Sequence, residues 1–217
     1  MWFNKLSYTF TDSYVRAYIL LNRINISHKN LDLGLEYINK CFKLIEFCQD
    51  KFLITQVYYY KGISLVNTLK LSEALVYLLK SKQLADQYLY HIFKSTINLS
   101  IGDVYLQLKD YNLASNYFWL IVDEFPVEDM HVYSMAHSKL AYIELQRDKF
   151  KNGYKLLFTS DSIAARYNYL DVLLQNNLSL FNYFKGKKLF EKALMYHERA
   201  IAIEDTLFTK EKYENLM

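Results

Sequence analysis

Apolar residues in this chain recur at steps of three and four. From Leu31 onward they stand at Leu31, Leu35, Ile38, Phe42 and Ile45, and after Leu71 at Leu75, Leu78 and Leu79. That spacing is the period of a helix with one buried face, not the alternation of a half-buried strand. Short polar runs punctuate it: KLS at 70–72, KDYN at 109–112, RDKFKN at 147–152 and KGKKLF at 185–190. Only 5 glycines and 1 proline occur in 217 residues. Strand-rich folds need turn residues at short intervals, so this shortage predicts an all-α chain of long helices.

The pattern is a repeat. The segments LGLEYINKCF, SEALVYLLKS, LASNYFWLIV, NGYKLLFTSD and EKALMYHERA superimpose on Gly34, Ala74, Ala114, Gly153 and Ala193, at intervals of 40, 40, 39 and 40 residues. Twelve residues before each of these stand Asn22, Gly62, Gly102, Ala141 and Phe181. A small side chain therefore fills eight of the ten paired positions. Small residues at fixed offset let two helix axes approach closely, which predicts antiparallel hairpins of a helix A and a helix B. Pro126 is expected to stop the third B helix before the next hairpin begins.

These residues resemble the tetratricopeptide repeat. Repeat three carries the family's small residue late in helix A (Gly102), the aromatic three on (Tyr105), the aromatic before helix B (Tyr111), its alanine (Ala114) and the closing proline (Pro126). Repeat two keeps Gly62 and Ala74 but has Leu65 and Leu71 at the aromatic sites; repeat five keeps Phe184, Phe190, Ala193 and Ala200 but has Phe181 at the small one. The period exceeds the usual 34 by about six residues, and HEAT-like repeats of about 40 are the structural rival. The resemblance implies a right-handed α-α superhelix (solenoid) of about five tetratricopeptide-like hairpins forming one domain over 1–217. Its repeats fall near 13–50, 53–90, 93–130, 132–170 and 172–208, with a C-terminal helical extension at 209–217.

Composition narrows the function classes. With 26 basic and 23 acidic residues the net charge is +3, too small to suggest a nucleic-acid or membrane surface. The N-terminus MWFNKLSYTF lacks the apolar core of a signal peptide, and no run approaches the length of a membrane span, so a cytoplasmic protein is expected. Cys41 and Cys48 are read as two thiols on one face of a single helix, too far apart for a disulfide and buried. The five histidines show no metal-ligand spacing, and no nucleophile elbow, P-loop or dinucleotide fingerprint occurs. Neither an enzyme nor a cofactor-binding protein is expected.

In stacked hairpins the A helices line a concave wall. Offsets from the small A-helix residue bring Arg16, Arg23, Gln56, Asn67, Asp103, Gln107, Tyr142, Gln146, Gln175 and Asn182 to that wall, and Tyr59 joins them from the run VYYYKG, whose tyrosines divide between packing and groove. The amide row Asn67, Gln107 and Gln146 suits the backbone of an extended peptide, because an amide both donates and accepts; amides at a helix end also simply face water. The positions that grip a C-terminal carboxylate in some tetratricopeptide domains read Ile19, Arg23, Tyr60, Thr96 and Ser100, of which only Arg23 is suited. The expected partner is a protein or peptide segment, in bacterial signalling. Alternatives are the sensory region of a larger histidine kinase or diguanylate cyclase, and a peptide-pheromone regulator without its N-terminal effector domain. Apolar residues persisting in the last helix, among them Ile201, Leu207 and Phe208, predict homodimerisation there.

Overall fold

Seven times among the described residues the chain leaves a helix, places one residue in the left-handed region and enters the next helix: at Leu89 and Asn168 (φ 57°) between repeats, and at five corners within repeats. Those five are Lys29, Leu69, Lys109, Asp148 and Lys188, with φ between 59° and 62°. Each turn is closed by the same two bonds: Leu69 N–H donates to Val66 O at 2.9 Å and Lys70 N–H to Leu65 O at 2.9 Å. Equivalent pairs follow at Lys29 and Asn30, Lys109 and Asp110, Asp148 and Lys149, and Lys188 and Leu189. This is the Schellman closure, which returns two helix-end carbonyls to hydrogen-bonded partners. The next helix then starts at once. Carbonyls of Asn30, Lys70, Asp110, Lys149 and Leu189 accept from Gly34, Ala74, Ala114, Gly153 and Ala193 at 2.9–3.0 Å. The twelve-residue offset is thus the last turns of one helix, a three-residue corner and the first turn of the next.

This computed structural model describes residues 2–124 and 129–214, and all regular structure among them is helical. The helices are α1 (Trp2–Ser27), α2 (Leu31–Leu44), α3 (Lys51–Asn67), α4 (Leu71–Gln87), α5 (His91–Gln107), α6 (Tyr111–Val122), α7 (Met130–Gln146), α8 (Phe150–Tyr167), α9 (Leu170–Gly186) and α10 (Phe190–Glu214). Pro126, expected to end a helix, lies outside the described residues. The chain forms two compact units, residues 1–114 and 115–217.

In the first unit α1 packs on α2 and α3 on α4 as hairpins, and α2 on α3 and α4 on α5 join successive repeats. A β-carbon on Gly34 would meet Asn22 O at 3.4 Å, and one on Gly62 would meet Leu78 Cγ at 2.6 Å and Ala74 O at 3.3 Å. The paired small positions therefore do face each other. One core joins Val15, Ile19, Ile38, Cys41, Cys48, Leu53 and Val57. Side chains pin helix B to the carbonyls of helix A: Cys41 Sγ on Val15 O at 3.7 Å and Ser81 Oγ on Thr55 O at 2.9 Å.

The two cysteines do not share a helix as expected. α2 stops at Leu44, a 3-10 turn covers Ile45–Phe47, and Cys48 is extended (φ −77°, ψ 134°). The break comes from Asp50, whose carboxylate caps α3 by accepting from Phe52 and Leu53 N–H at 2.9 and 3.1 Å. Both thiols are free and buried.

In the second unit α7 pairs with α8 and α9 with α10, and α8 and α7 both pack on α9. Gly153 again sits against its partner, a β-carbon there meeting Ala141 O at 3.1 Å. Ser160 Oγ donates to Ser134 O at 2.9 Å, the counterpart of the Ser81 pin. The core holds Ala141, Leu145, Leu157, Leu180, Phe184 and Ala193. Phe181, which breaks the small-residue rule, is half-buried and stacks on His197 with ring centroids 4.6 Å apart.

Candidate functional site

The A helices of the first unit lie side by side, α1 touching α3 and α3 touching α5. These three helices carry seven of the eleven residues singled out from the sequence: Arg16, Arg23, Gln56, Tyr59, Asn67, Asp103 and Gln107. Arg23 is exposed, and its guanidinium lies 5.8 Å from the centroid of the Tyr60 ring. No hydrogen bond uses its donors among the described residues. The cation–π contact holds a flexible side chain over an aromatic face while leaving the charge in water.

Arg16 is differently placed. Its guanidinium is paired with Asp50, the residue that caps α3; Arg16 is exposed and Asp50 half-buried. With one partner exposed the pair adds little stability, but it uses the charge within the chain. Tyr59 is 9 % exposed and its hydroxyl shares a hydrogen bond with Ser100 Oγ at 3.1 Å. Burial pushes its pKa up, with the Ser100 bond opposing. Tyr59 therefore ties α3 to α5, and Tyr60 is the ring presented to Arg23.

Asn67 and Gln107 occupy the exposed last turns of α3 and α5. Asn67 Nδ2 donates back to Ile63 O at 2.9 Å, which leaves its oxygen and its second N–H open. Gln56 and Asp103 are half-buried. In the second unit, α7 carries half-buried Tyr142 and exposed Gln146, and α9 carries exposed Gln175 and Asn182. No group of three or more His, Cys, Asp or Glu residues that could hold a metal occurs among the described residues. No helix among them is long and apolar enough to cross a membrane.

A second feature was not anticipated. Between α8, α9 and α10 lies a cavity of about 420 Å3 lined mostly by apolar and aromatic side chains together with Asp161, Asn177 and Arg199. The one available signal is Asn176. It is fully buried at an A-helix position where earlier repeats hold Val57, Ile97 and Ala136, also fully buried.

Turn closure, paired small residues and pinned hairpins together define a tetratricopeptide-like helical repeat. No family model matches the chain, and no curated protein is similar to it in sequence. Solved structures are similar in fold. The apo form of RapI matches with a TM-score of 0.68 at 14 % identity, over 91 % of this chain and 85 % of that one. The Rap conjugation gene regulator of a plasmid, in complex with the Phr peptide, matches at 0.69 and 13 % identity over 94 % of this chain and 64 % of its own. YrrB, described as a tetratricopeptide protein with an unusual peptide-binding site, matches at 0.52 and 17 % identity over 89 % and 90 %.

Proposed function

We propose that this chain is a binding scaffold that takes an extended protein or peptide segment across the exposed A-helix face of its first unit. The carrying observation is Arg23: an exposed guanidinium held over Tyr60, its donors unspent, beside A helices that also carry Gln56, Asn67 and Gln107. An extended segment offers carbonyls and N–H groups at regular intervals. Amides satisfy both kinds, and a flat guanidinium can hold two carbonyls or one acidic side chain. Likeness of fold to a regulator solved with a Phr peptide and to a protein with a peptide-binding site supports the reading. We extend it to bacterial signalling on the strength of the Rap likeness.

The test uses the whole chain. Peptides selected on it from a displayed random library are measured by fluorescence anisotropy against an Arg23→Ala, Gln107→Ala double variant. Affinity falls by roughly tenfold or more, because charge-assisted contacts are lost, while helicity and Tm stay unchanged. Selected peptides that bind the double variant equally well would refute the site.

A further inference from the structure

The cavity in the second unit is built differently from the A-helix face. Leu157 and Phe158 of α8, Leu173 and Leu180 of α9, and Ile203 of α10 make its walls. Into this apolar space come two opposite charges, Asp161 from α8 and Arg199 from α10. They form no ion pair with each other among the described residues.

Asp161 is held from beneath. Its Oδ1 accepts from Asn176 Nδ2 at 2.7 Å, and the same nitrogen donates to Ser160 Oγ at 2.9 Å. Ser160 in turn donates to Ser134 O at 2.9 Å. Ser134, Ser160 and Asn176 are all fully buried. The second carboxylate oxygen has no partner among the described residues. Burial raises the Asp161 pKa, against the opposing effects of Asn176 and the Arg199 charge. Arg199 rests 5.5 Å from the Tyr196 ring centroid and gives no hydrogen bond among the described residues.

Polar groups in an apolar site cost stability unless something pairs with them. Asp161 is half-buried and Arg199 exposed, so both charges reach water; a ligand that fills the cavity strips that water away and must itself pair with them. The charges say which. A simple cation would face Arg199, a simple anion would face Asp161, and an uncharged apolar molecule would leave both unpaired. We infer that the cavity binds a free amino acid with a large apolar side chain, its ammonium on Asp161, its carboxylate on Arg199 and its side chain among Leu157, Leu173 and Leu180. The volume lies in the range of small-molecule sites. None of these residues belongs to the A-helix face of the first unit, so the two readings stand or fall separately.

Calorimetric titration of the whole chain with free leucine, isoleucine and phenylalanine tests the assignment, with glycine, serine and N-acetyl-leucine amide as comparisons. Saturable binding is expected for at least one apolar amino acid. The comparison ligands and the variants Asp161→Asn and Arg199→Gln each bind that amino acid's site at least about tenfold more weakly, the effect of one lost charge-assisted contact. Arg199→Gln alters an exposed side chain, so its loss of binding is separable from misfolding by an unchanged Tm. Equal binding of the blocked amide, equal binding by both variants, or no heat from any apolar amino acid at about 10 mM overturns the proposal.

Discussion

Leu69 carries its side chain into solvent, 79 % exposed, at a φ of 59°. A branched side chain in the left-handed region costs roughly 1–2 kcal/mol, and glycine removes that cost while adding its own unfolded-state entropy. Leu69→Gly is therefore expected to raise stability by roughly 0.5–1 kcal/mol, read from urea unfolding. The cysteines behave oppositely to a reactive pair. Burial pushes the thiols of Cys41 and Cys48 up to about 12 each. At neutral pH they stay protonated, so a thiol reagent such as Ellman's should label them only at the rate of global unfolding. His137 gives a pH signature. Burial holds its imidazole below the ordinary value of 6.5 against a weaker opposing bond to Tyr133 O. The unfolded chain takes up a proton that the folded one refuses, so this stabilisation is complete above 6.5 and is lost as pH falls through the lower folded value. His137→Phe should narrow the difference in Tm between about pH 7.5 and pH 5. The left-handed lysines and leucines were not legible in the sequence, because those residue types carry no mark of that conformation, whereas Asp148 and Asn168 are of types that enter it more readily.

At the scale of elements, one substitution separates two kinds of glycine. A β-carbon at Gly62 would overlap Leu78 Cγ at 2.6 Å, and Leu78 is fully buried. Gly186, the last residue of α9, would place a β-carbon with nothing within 4 Å. Gly62→Ala is expected to lower stability by about 1 kcal/mol, overpacking outweighing the gain in helix propensity. Gly186→Ala should raise it by about 0.5 kcal/mol, and thermal unfolding of the two variants checks both signs. Helix pairing was readable because small residues at constant offset have one mechanical use. The end of α2 was not, since the apolar spacing runs on through Ile45 while the cap on Asp50 competes for the chain.

At the scale of the molecule, the fold places an apolar surface on its last helix. Leu194, Met195, Ile201 and Phe208 of α10 are exposed, and self-association through them is the proposal that follows from the sequence expectation. The parent chain should sediment as a dimer, and Ile201→Glu with Phe208→Glu should make it a monomer without loss of helicity. A monomeric parent at micromolar concentration removes the proposal.

Periodicity, scarce breakers and recurring small residues fixed the class of fold without coordinates, because each is a local condition on how helices can pair. Arg23 could be assigned to an exposed A-helix position from its offset alone. That its charge is unspent, while Arg16 is tied to Asp50 and Tyr59 to Ser100, depends on residues 34 and 41 positions away. The cavity beside Asp161 was decided by tertiary structure in the same way. Its charges come from different helices, and no spacing along a chain records which side chains meet across a hairpin.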